Sequence, residues 1–304
     1  KWSGDLKTAL KKGILATFSD EKLRMSLYRP FTRSFLFFDR LMNNGTFLFP
    51  YIFPTQETES ENLVLSVAGT GHRTGFGCLV SNVIPGVDLG YEKAQCFPFY
   101  IYDEDGTNRR ENITDWALQN FRAHYTDDTI TKWDIFHYTY GILHHPDYRE
   151  RYAADLKRDL PHIPYADDFW AFARAGAQLA ELHVNYETQP QYPLTFVEDA
   201  TKQLDFRVER MKFSKDKTRL LYNDFLTLEG IPSAAFAYRL GPYSALEWVV
   251  NQYRVKSERR SGIVNNPNDA EVPRYIVGLV GSVITVSLET VEIIEGLPAL
   301  PHGT

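Results

Sequence analysis

Apolar residues change their spacing several times along the chain, and each change marks a boundary. Trp2, Leu6, Ala9, Leu10 and Ile14 recur every three to four residues. That period predicts an amphipathic helix across 2–27, interrupted near Gly13 and finished before Pro30. Period two then takes over. The segments SLYRPF, SFLFFD, FLFPYIF, NLVLSVAG, GFGCLVSNVI and CFPFYIY are short and rich in aromatic or β-branched residues. Asn-Asn-Gly, Gly-Thr-Gly and Pro-Gly turn signals divide them, and they read as strands. Prolines inside FLFPYIF and CFPFYIY place those two at sheet edges or in irregular extended chain.

From 112 to 187 the spacing is helical again. Asp128 or Thr129 is expected to cap the second helix of this stretch, Pro146 to take a first-turn position after LHHP, and Asp167 or Asp168 to open the next helix. Phe169, Phe172, Ala173, Ala177 and Leu179 form a buried stripe of helical period. Residues 188–200 read as linker. LDFRVERMKF, TRLLYND, FLTLEG and AAFAYRL return to strand, and SALEWVVNQYRV reads as a helix opened near Tyr243 or Ser244. Residues 257–273 are polar and turn-rich. IVGLVGSVITVSLETVEIIEGL reads as a final helix, with strand as the rival because of its Val and Ile content. The expected fold class is α/β, in the mixed α+β sense. An N-terminal helix and β-rich lobe would occupy 1–109 and a helical lobe 110–190. A second β-rich segment, 191–304, would return to the first lobe and carry C-terminal helices.

Composition supports a packed core, with 43% hydrophobic and 14% aromatic residues in 304. No uncharged apolar run of about 18 residues stands out, so no membrane span is expected. With no signal peptide visible either, a cytoplasmic location is expected. The chain opens on Lys1, which suggests excision from something longer. Cys78 and Cys96 sit in strand-like contexts and read as buried free thiols, far from any zinc-ligand spacing. The net charge of −6 disfavours nucleic acid. Its distribution is less simple: residues 1–46 carry nine Lys/Arg against four Asp/Glu, and residues 207–260 eleven against six. Two basic segments can build one cationic face, and local positive charge is what phosphate contact needs. An ordinary mixed surface fits the same numbers.

Candidate chemistry is sparse. His137, His144, His145 and His183 fall in the helical stretch, without HExxH or a carboxylate at ligand spacing, and read as core or helix-end histidines. Asn266-Pro267-Asn268-Asp269 invites comparison with the N-P-P-aromatic motif of adenine-N6 methyltransferases, where an aromatic stacks on a flipped base. Asn268 and Asp269 replace the second proline and the aromatic, so a polar turn is expected. Residues 68–74, AGTGHRT, lack the G-x-x-x-x-G-K-[ST] spacing of a phosphate cradle. They read as a hairpin loop presenting His72, Arg73 and Thr74 to solvent or to DNA. Arg254, Lys256, Arg259 and Arg260 form the densest basic run. They either complement a helix C-terminus and stay solvated, or contact phosphate and guanine. Arg29 and Arg33 flank Pro30-Phe31 and stand as buried partners or as contacts.

SLYRPFTRSFLFFDRLMN resembles the Tyr-Arg-Pro-Phe segment that follows the catalytic domain in adenine methyltransferases fused to their own recognition region. WDIFHYTYGILHHPDYRERYAADLKRDLPHIP, FWAFARAGAQLAELHVNYE, SALEWVVNQYRVKSERRSGIVNNPND and VSLETVEIIEGLP look like successive blocks of one family. That family is the C-terminal specificity region of type ISP restriction–modification enzymes, and the blocks cover most of the chain in order. His162 stands where that family more often has Arg before Ile-Pro. The resemblance implies a sequence-specific double-stranded DNA recognition domain, not itself an enzyme and with no metal or cofactor of its own. The parent polypeptide would carry a nuclease, a helicase-like ATPase, a coupler and an adenine-N6 methyltransferase. It would also use the S-adenosylmethionine, ATP and Mg. Duplex DNA and the methyltransferase and coupler domains of the same polypeptide are the implied partners. On chemistry, the expected DNA-contacting residues are Arg29, Arg33, His72, Arg73, Thr74, Arg254, Lys256, Arg259, Arg260, Asn265 and Asn266. Two rivals stay open: an interdomain scaffold that binds no DNA alone, and a hydrolase built on the helical histidines.

Overall fold

The computed structural model describes residues 3–43, 45–87, 89–90 and 92–301. Trp2, part of the expected opening helix, lies outside them. That helix is much shorter than its apolar spacing suggested: it runs Gly4–Lys11, capped by Ser3, whose Oγ accepts from the Leu6 N–H at 3.1 Å. The chain leaves it through Gly13, at φ +69°, a left-handed turn that favours glycine. Leu23–Arg29 is a strand instead, antiparallel to Thr32–Phe37. Pairing with Thr32–Phe37 buries Leu27 and Ser26, so tertiary context overrides the local period. At the bend Phe31 is buried with φ +54°, unusual for a side-chain-bearing residue. Edge contacts hold its ring against Tyr186 (5.1 Å), His183 and Tyr238 (each 6.2 Å).

Ile84–Pro85 lies parallel to Leu23–Arg29 and completes that sheet. A second antiparallel sheet has Val64–Val67 at its centre, Cys78–Ser81 on one side and Gln95–Pro98 on the other. CFPFYIY therefore sits at an edge, as its proline demands. FLFPYIF does not form a strand: Phe49–Ile52 is one helical turn with Pro50 in its first turn, where a missing N–H costs nothing.

The 112–187 stretch is helical as its spacing predicts, in Asp115–Tyr125, Lys132–His144, Pro146–Arg151 and Phe169–Val184. Thr131, not Asp128 or Thr129, caps the second helix, in a reciprocal box with Asp134. The longest two cross at a glycine pair. A Cβ on Gly176 would stand 1.8 Å from the His137 carbonyl oxygen, and one on Gly141 2.4 Å from that of Phe172.

Residues 188–200 are not a free linker. The Tyr192 N–H bonds the Gly281 carbonyl at 3.1 Å, and Thr195–Glu198 is the edge strand of a four-stranded antiparallel sheet. Next to it lie Leu226–Glu229, Arg219–Leu221 and Lys212–Phe213 in that order. Ser244 caps the helix Ala245–Gln252, boxed with Glu247. Tyr275–Glu295 is helix throughout, not strand. By length and composition it could cross a membrane, contrary to the expectation from sequence. In this fold its Val280, Val283, Ile284 and Val286 are fully buried against the rest of the protein. They share one core with Leu27, Phe31, Leu220, Leu226 and Val249. A second core joins the helical stretch to Leu65, Val67, Cys78 and Val80 from the N-terminal strands. Both cysteines are free, Cys78 buried and Cys96 half-buried.

Candidate nucleic-acid interface

The helix Ala245–Gln252 ends at buried Tyr253, whose hydroxyl lies 3.2 Å from that of Tyr275 on the C-terminal helix. The chain is thus anchored where the basic run begins. Arg254 bridges to Arg210, and the Val255 N–H donates to the Glu209 carbonyl at 2.9 Å. Arg29 arrives at the same place from the end of its strand. Its guanidinium lies 4.4 Å above the Tyr28 ring. Burial, then the Arg254 and Arg29 charges, hold the Lys256 ammonium below its usual lysine range. Like charges are therefore gathered here. No carboxylate among the described residues forms an ion pair with Arg29, Arg254 or Lys256, and the Arg254 Nε–H is buried without a partner. Arg210, in the basic 207–260 segment, joins this place through its backbone pairing with Arg254, a neighbour the sequence did not signal.

Beyond Arg254 the chain forms a protruding hairpin. Lys256–Ser257 pairs with Val264–Asn265 in the register Lys256↔Asn265 and Ser257↔Val264. The Glu258 N–H bonds the Ile263 carbonyl, and the Gly262 N–H bonds the Glu258 carbonyl, each at 2.9 Å. Gly262 at φ +70° permits the tight closure. Arg259 and Arg260 occupy the exposed tip. At the base, Asn266 Oδ1 accepts from the Asn268 backbone N–H at 3.1 Å, and Asn268 reaches across to the backbone of Val208. The 266–269 turn is thus structural. Its amide is committed to the chain and holds no open base pocket.

The glycine-rich turn departs from expectation. His72 is only 4% exposed, with Nδ1 3.0 Å from the Gly69 carbonyl oxygen, so it is not presented to solvent. The Thr74 hydroxyl is buried too. Arg73 does project, 85% exposed, with Nη2 2.7 Å from Glu92 Oε1. The turn fits no phosphate: the Gly71 N–H is taken by the Lys157 carbonyl at 2.8 Å. A Cβ on Gly69 would meet the Lys93 carbonyl oxygen at 2.0 Å. Arg33 also turns inward. It pairs with Glu187 at 2.7 Å, donates to the Val184 carbonyl at 3.1 Å and lies over Tyr186. The structure therefore brings together Arg29, Arg254 and Lys256, leading to Arg259, Arg260, Asn265 and Asn266. It leaves Arg33, His72 and Thr74 as internal supports.

Of the helical histidines, His144, His145 and His183 are buried and His137 is half-buried. His183 Nδ1 lies 2.6 Å from Tyr140 Oη and its Nε2 2.8 Å from Thr290 Oγ1. Burial, then the nearby Arg149 charge, push its pKa down to about 3. His144, with Nδ1 2.9 Å from the Tyr140 carbonyl oxygen, is depressed for the same reasons, and burial drives the neighbouring Cys78 thiol upward. His183 and His144 are enclosed in the core, and among the described residues no carboxylate hydrogen-bonds to either, so this pair lacks the acid–base partner a hydrolytic site needs.

The chain belongs to the Type ISP C-terminal specificity domain family, whose profile matches residues 1–279. Three solved structures of the same fold are similar over nearly the whole chain. A nuclease-deletion mutant of the Type ISP restriction–modification enzyme LlaGI, in complex with a DNA substrate mimic, has a TM-score of 0.85 and 34% identity over 100% of this chain. The ATP-dependent Type ISP enzyme LlaBIII bound to DNA has 0.89 and 29% over 98%. The DrdV–DNA complex has 0.87 and 33% over 99%. The matched part is 27%, 20% and 31% of those chains respectively, so this chain spans less than a third of each. Comparison with curated proteins finds no match.

Proposed function

We propose that the chain reads a specific sequence in double-stranded DNA. On this reading it positions the target for an adenine-N6 methyltransferase and a nuclease–translocase located elsewhere in a longer restriction–modification polypeptide. One observation carries the proposal: Arg29, Arg254 and Lys256 are held together with no ion-paired carboxylate among the described residues, at the base of an exposed hairpin tipped by Arg259 and Arg260. Like charges so gathered are balanced when phosphates arrive. Tip arginines can then reach phosphates or guanine edges, while Asn265 and Asn266 lie at the base beside Lys256. Arg73, exposed on a separate turn, is already paired with Glu92 and would have to exchange that partner to meet a phosphate.

The chain itself contributes binding, not catalysis, and S-adenosylmethionine, ATP and Mg act on the parent's other domains. Two local facts support this: the Gly69 and Gly71 amides and the Asn268 side chain are already engaged by protein groups. Such an enzyme works on cytoplasmic DNA. The test is binding of the full-length protein to duplexes selected from a randomised pool, beside the 304-residue chain incubated with labelled S-adenosylmethionine. Selection of one consensus, with no methyl transfer by the shorter chain, is expected. Failure to enrich any sequence rejects the recognition role, and methyl transfer by the pure shorter chain rejects the division of labour.

A further inference from the structure

We propose that Ile263 reads a base: it lays its side chain on the C5-methyl group of a thymine in the major groove. This rests on the DNA-recognition reading above and adds a contact that charge alone does not supply. Residues 257–266 are all exposed, and within them Ile263 is 66% and Val264 56% exposed. Single exposed apolar side chains are ordinary. Two in succession, on a ribbon that otherwise reads Lys-Ser-Glu-Arg-Arg-Ser-Gly and Asn-Asn, are not, and neither belongs to a hydrophobic core.

The register determines what surrounds them. Lys256 faces Asn265, Ser257 faces Val264, and Glu258 bonds Ile263 across the ribbon. Strand alternation then sets Ile263, Asn265, Lys256 and Glu258 on one face, where Glu258 Oε1 accepts from the Arg260 N–H at 3.2 Å, and Val264 with Ser257 on the other. The first face combines a branched apolar group, an amide, a cation and a carboxylate tied back to the Arg260 backbone, next to the arginines at the tip. The major groove admits a two-stranded ribbon, its edges offer amide and guanidinium partners, and the thymine methyl is its apolar feature. The cation cluster at the hairpin base falls where the phosphates bordering the groove would lie. An isolated two-stranded ribbon is also only marginally stable, so a groove that encloses it would fix its geometry.

The experiment uses the full-length protein and a duplex it selects from a randomised pool, with each thymine replaced in turn by uracil, which removes only the methyl. One replacement is expected to weaken wild-type binding about fourfold, the worth of a buried methyl. Ile263→Ala is expected to weaken binding to the thymine duplex by a similar factor and to bind the thymine and uracil forms equally. The fold is not at risk, because Ile263 is exposed, and an unchanged melting temperature checks that. The assignment is overturned if no uracil duplex binds differently from its thymine form, or if Ile263→Ala keeps the wild-type discrimination. An equal loss on every duplex would place Ile263 against protein and also overturn it. Wild-type protein that does not prefer the selected duplex to a scrambled one is a separate result, which rejects the recognition role and this contact with it.

Discussion

Asn268 grips the backbone of Val208 on both sides. Its Oδ1 accepts from the Val208 N–H at 2.7 Å and its Nδ2 donates to the Val208 carbonyl at 2.8 Å. Sixty residues of sequence are closed by one amide, and the closure lies at the foot of the basic hairpin. Asn268→Ala leaves both backbone groups unpaired and is expected to cost about 2 kcal/mol in urea unfolding. Asn268→Asp keeps the acceptor but sets a carboxylate oxygen against the Val208 carbonyl and Asn266 Oδ1, so it should cost at least as much. Hydrogen exchange across 256–265 should quicken in the alanine variant, because the foot no longer holds. An alanine variant as stable as wild type would show that the clamp contributes nothing.

The glycine crossing in the helical stretch gives a sharper expectation. Both intended atoms at Gly176 and Gly141 meet backbone carbonyls, which have no rotamer to turn away. Gly176→Ala must separate Lys132–His144 from Phe169–Val184 and loosen the Phe172, Tyr138 and Phe169 packing between them. A loss of about 3 kcal/mol is expected, at the upper end for overpacking, and thermal melting reads it. Ala177→Gly, one residue on, should cost only about 1 kcal/mol through helix propensity. Equal effects at the two positions would contradict a close backbone approach.

Acid sensitivity follows from the buried imidazoles. His183 titrates near 3 in the folded chain against about 6.5 when unfolded, and His144 is depressed in the same direction. Below pH 6.5 the unfolded state binds protons that the folded state refuses, so stability is full above that pH and is lost as the pH falls towards 3. Each such histidine contributes a slope approaching about 1.4 kcal/mol per pH unit. Urea midpoints should therefore drop between pH 7 and pH 5, before carboxylates begin to protonate. A flat profile over that interval would mean the two imidazoles are not enclosed as described.

How much of this was legible in the sequence depends on what decides each feature. Phe169–Val184 and Ala245–Gln252 were readable because period, cap and burial agree in both. The 2–27 helix was misread because Leu10, Ile14, Leu15 and Phe18 keep a helical spacing yet stay exposed, while Leu23–Arg29 is recruited by a neighbouring strand. Tertiary pairing has no local signature. FLFPYIF failed for another reason: its proline reads equally as a strand edge or a helix first turn. At the candidate interface, Arg254–Arg260 stood out as a basic run. Nothing in sequence told Arg29 from Arg33, four residues apart, because Glu187 decides which one is internal, and it lies 154 positions from Arg33. His72 looked like a loop-tip residue until the Gly69 carbonyl claimed its ring.

That distinction between neighbours supplies the last expectation. Arg33 already has a carboxylate partner and an enclosed position, so Arg33→Ala should unsettle the Tyr186 and Tyr275 contacts around Glu187. It should lower the melting temperature while leaving the salt dependence of DNA binding alone. Lys256 is the reverse case. Its charge is opposed in the free protein by Arg254 and Arg29, and among the described residues no ion pair is lost on removing it. Lys256→Met keeps the stem and removes the repulsion, so melting temperature should hold or rise. DNA affinity should fall on cognate and scrambled duplexes alike, with the slope of log K against log salt reduced by about one unit. Arg259→Ala with Arg260→Ala should reduce it by about two if both touch phosphate. A guanine contact at either would instead relax preference at one base pair, at about 1–3 kcal/mol. Salt series on all three variants, on both duplexes, separate these outcomes. An unchanged slope in Lys256→Met and in the double variant would show that the cation cluster is a solvated surface and not the DNA face.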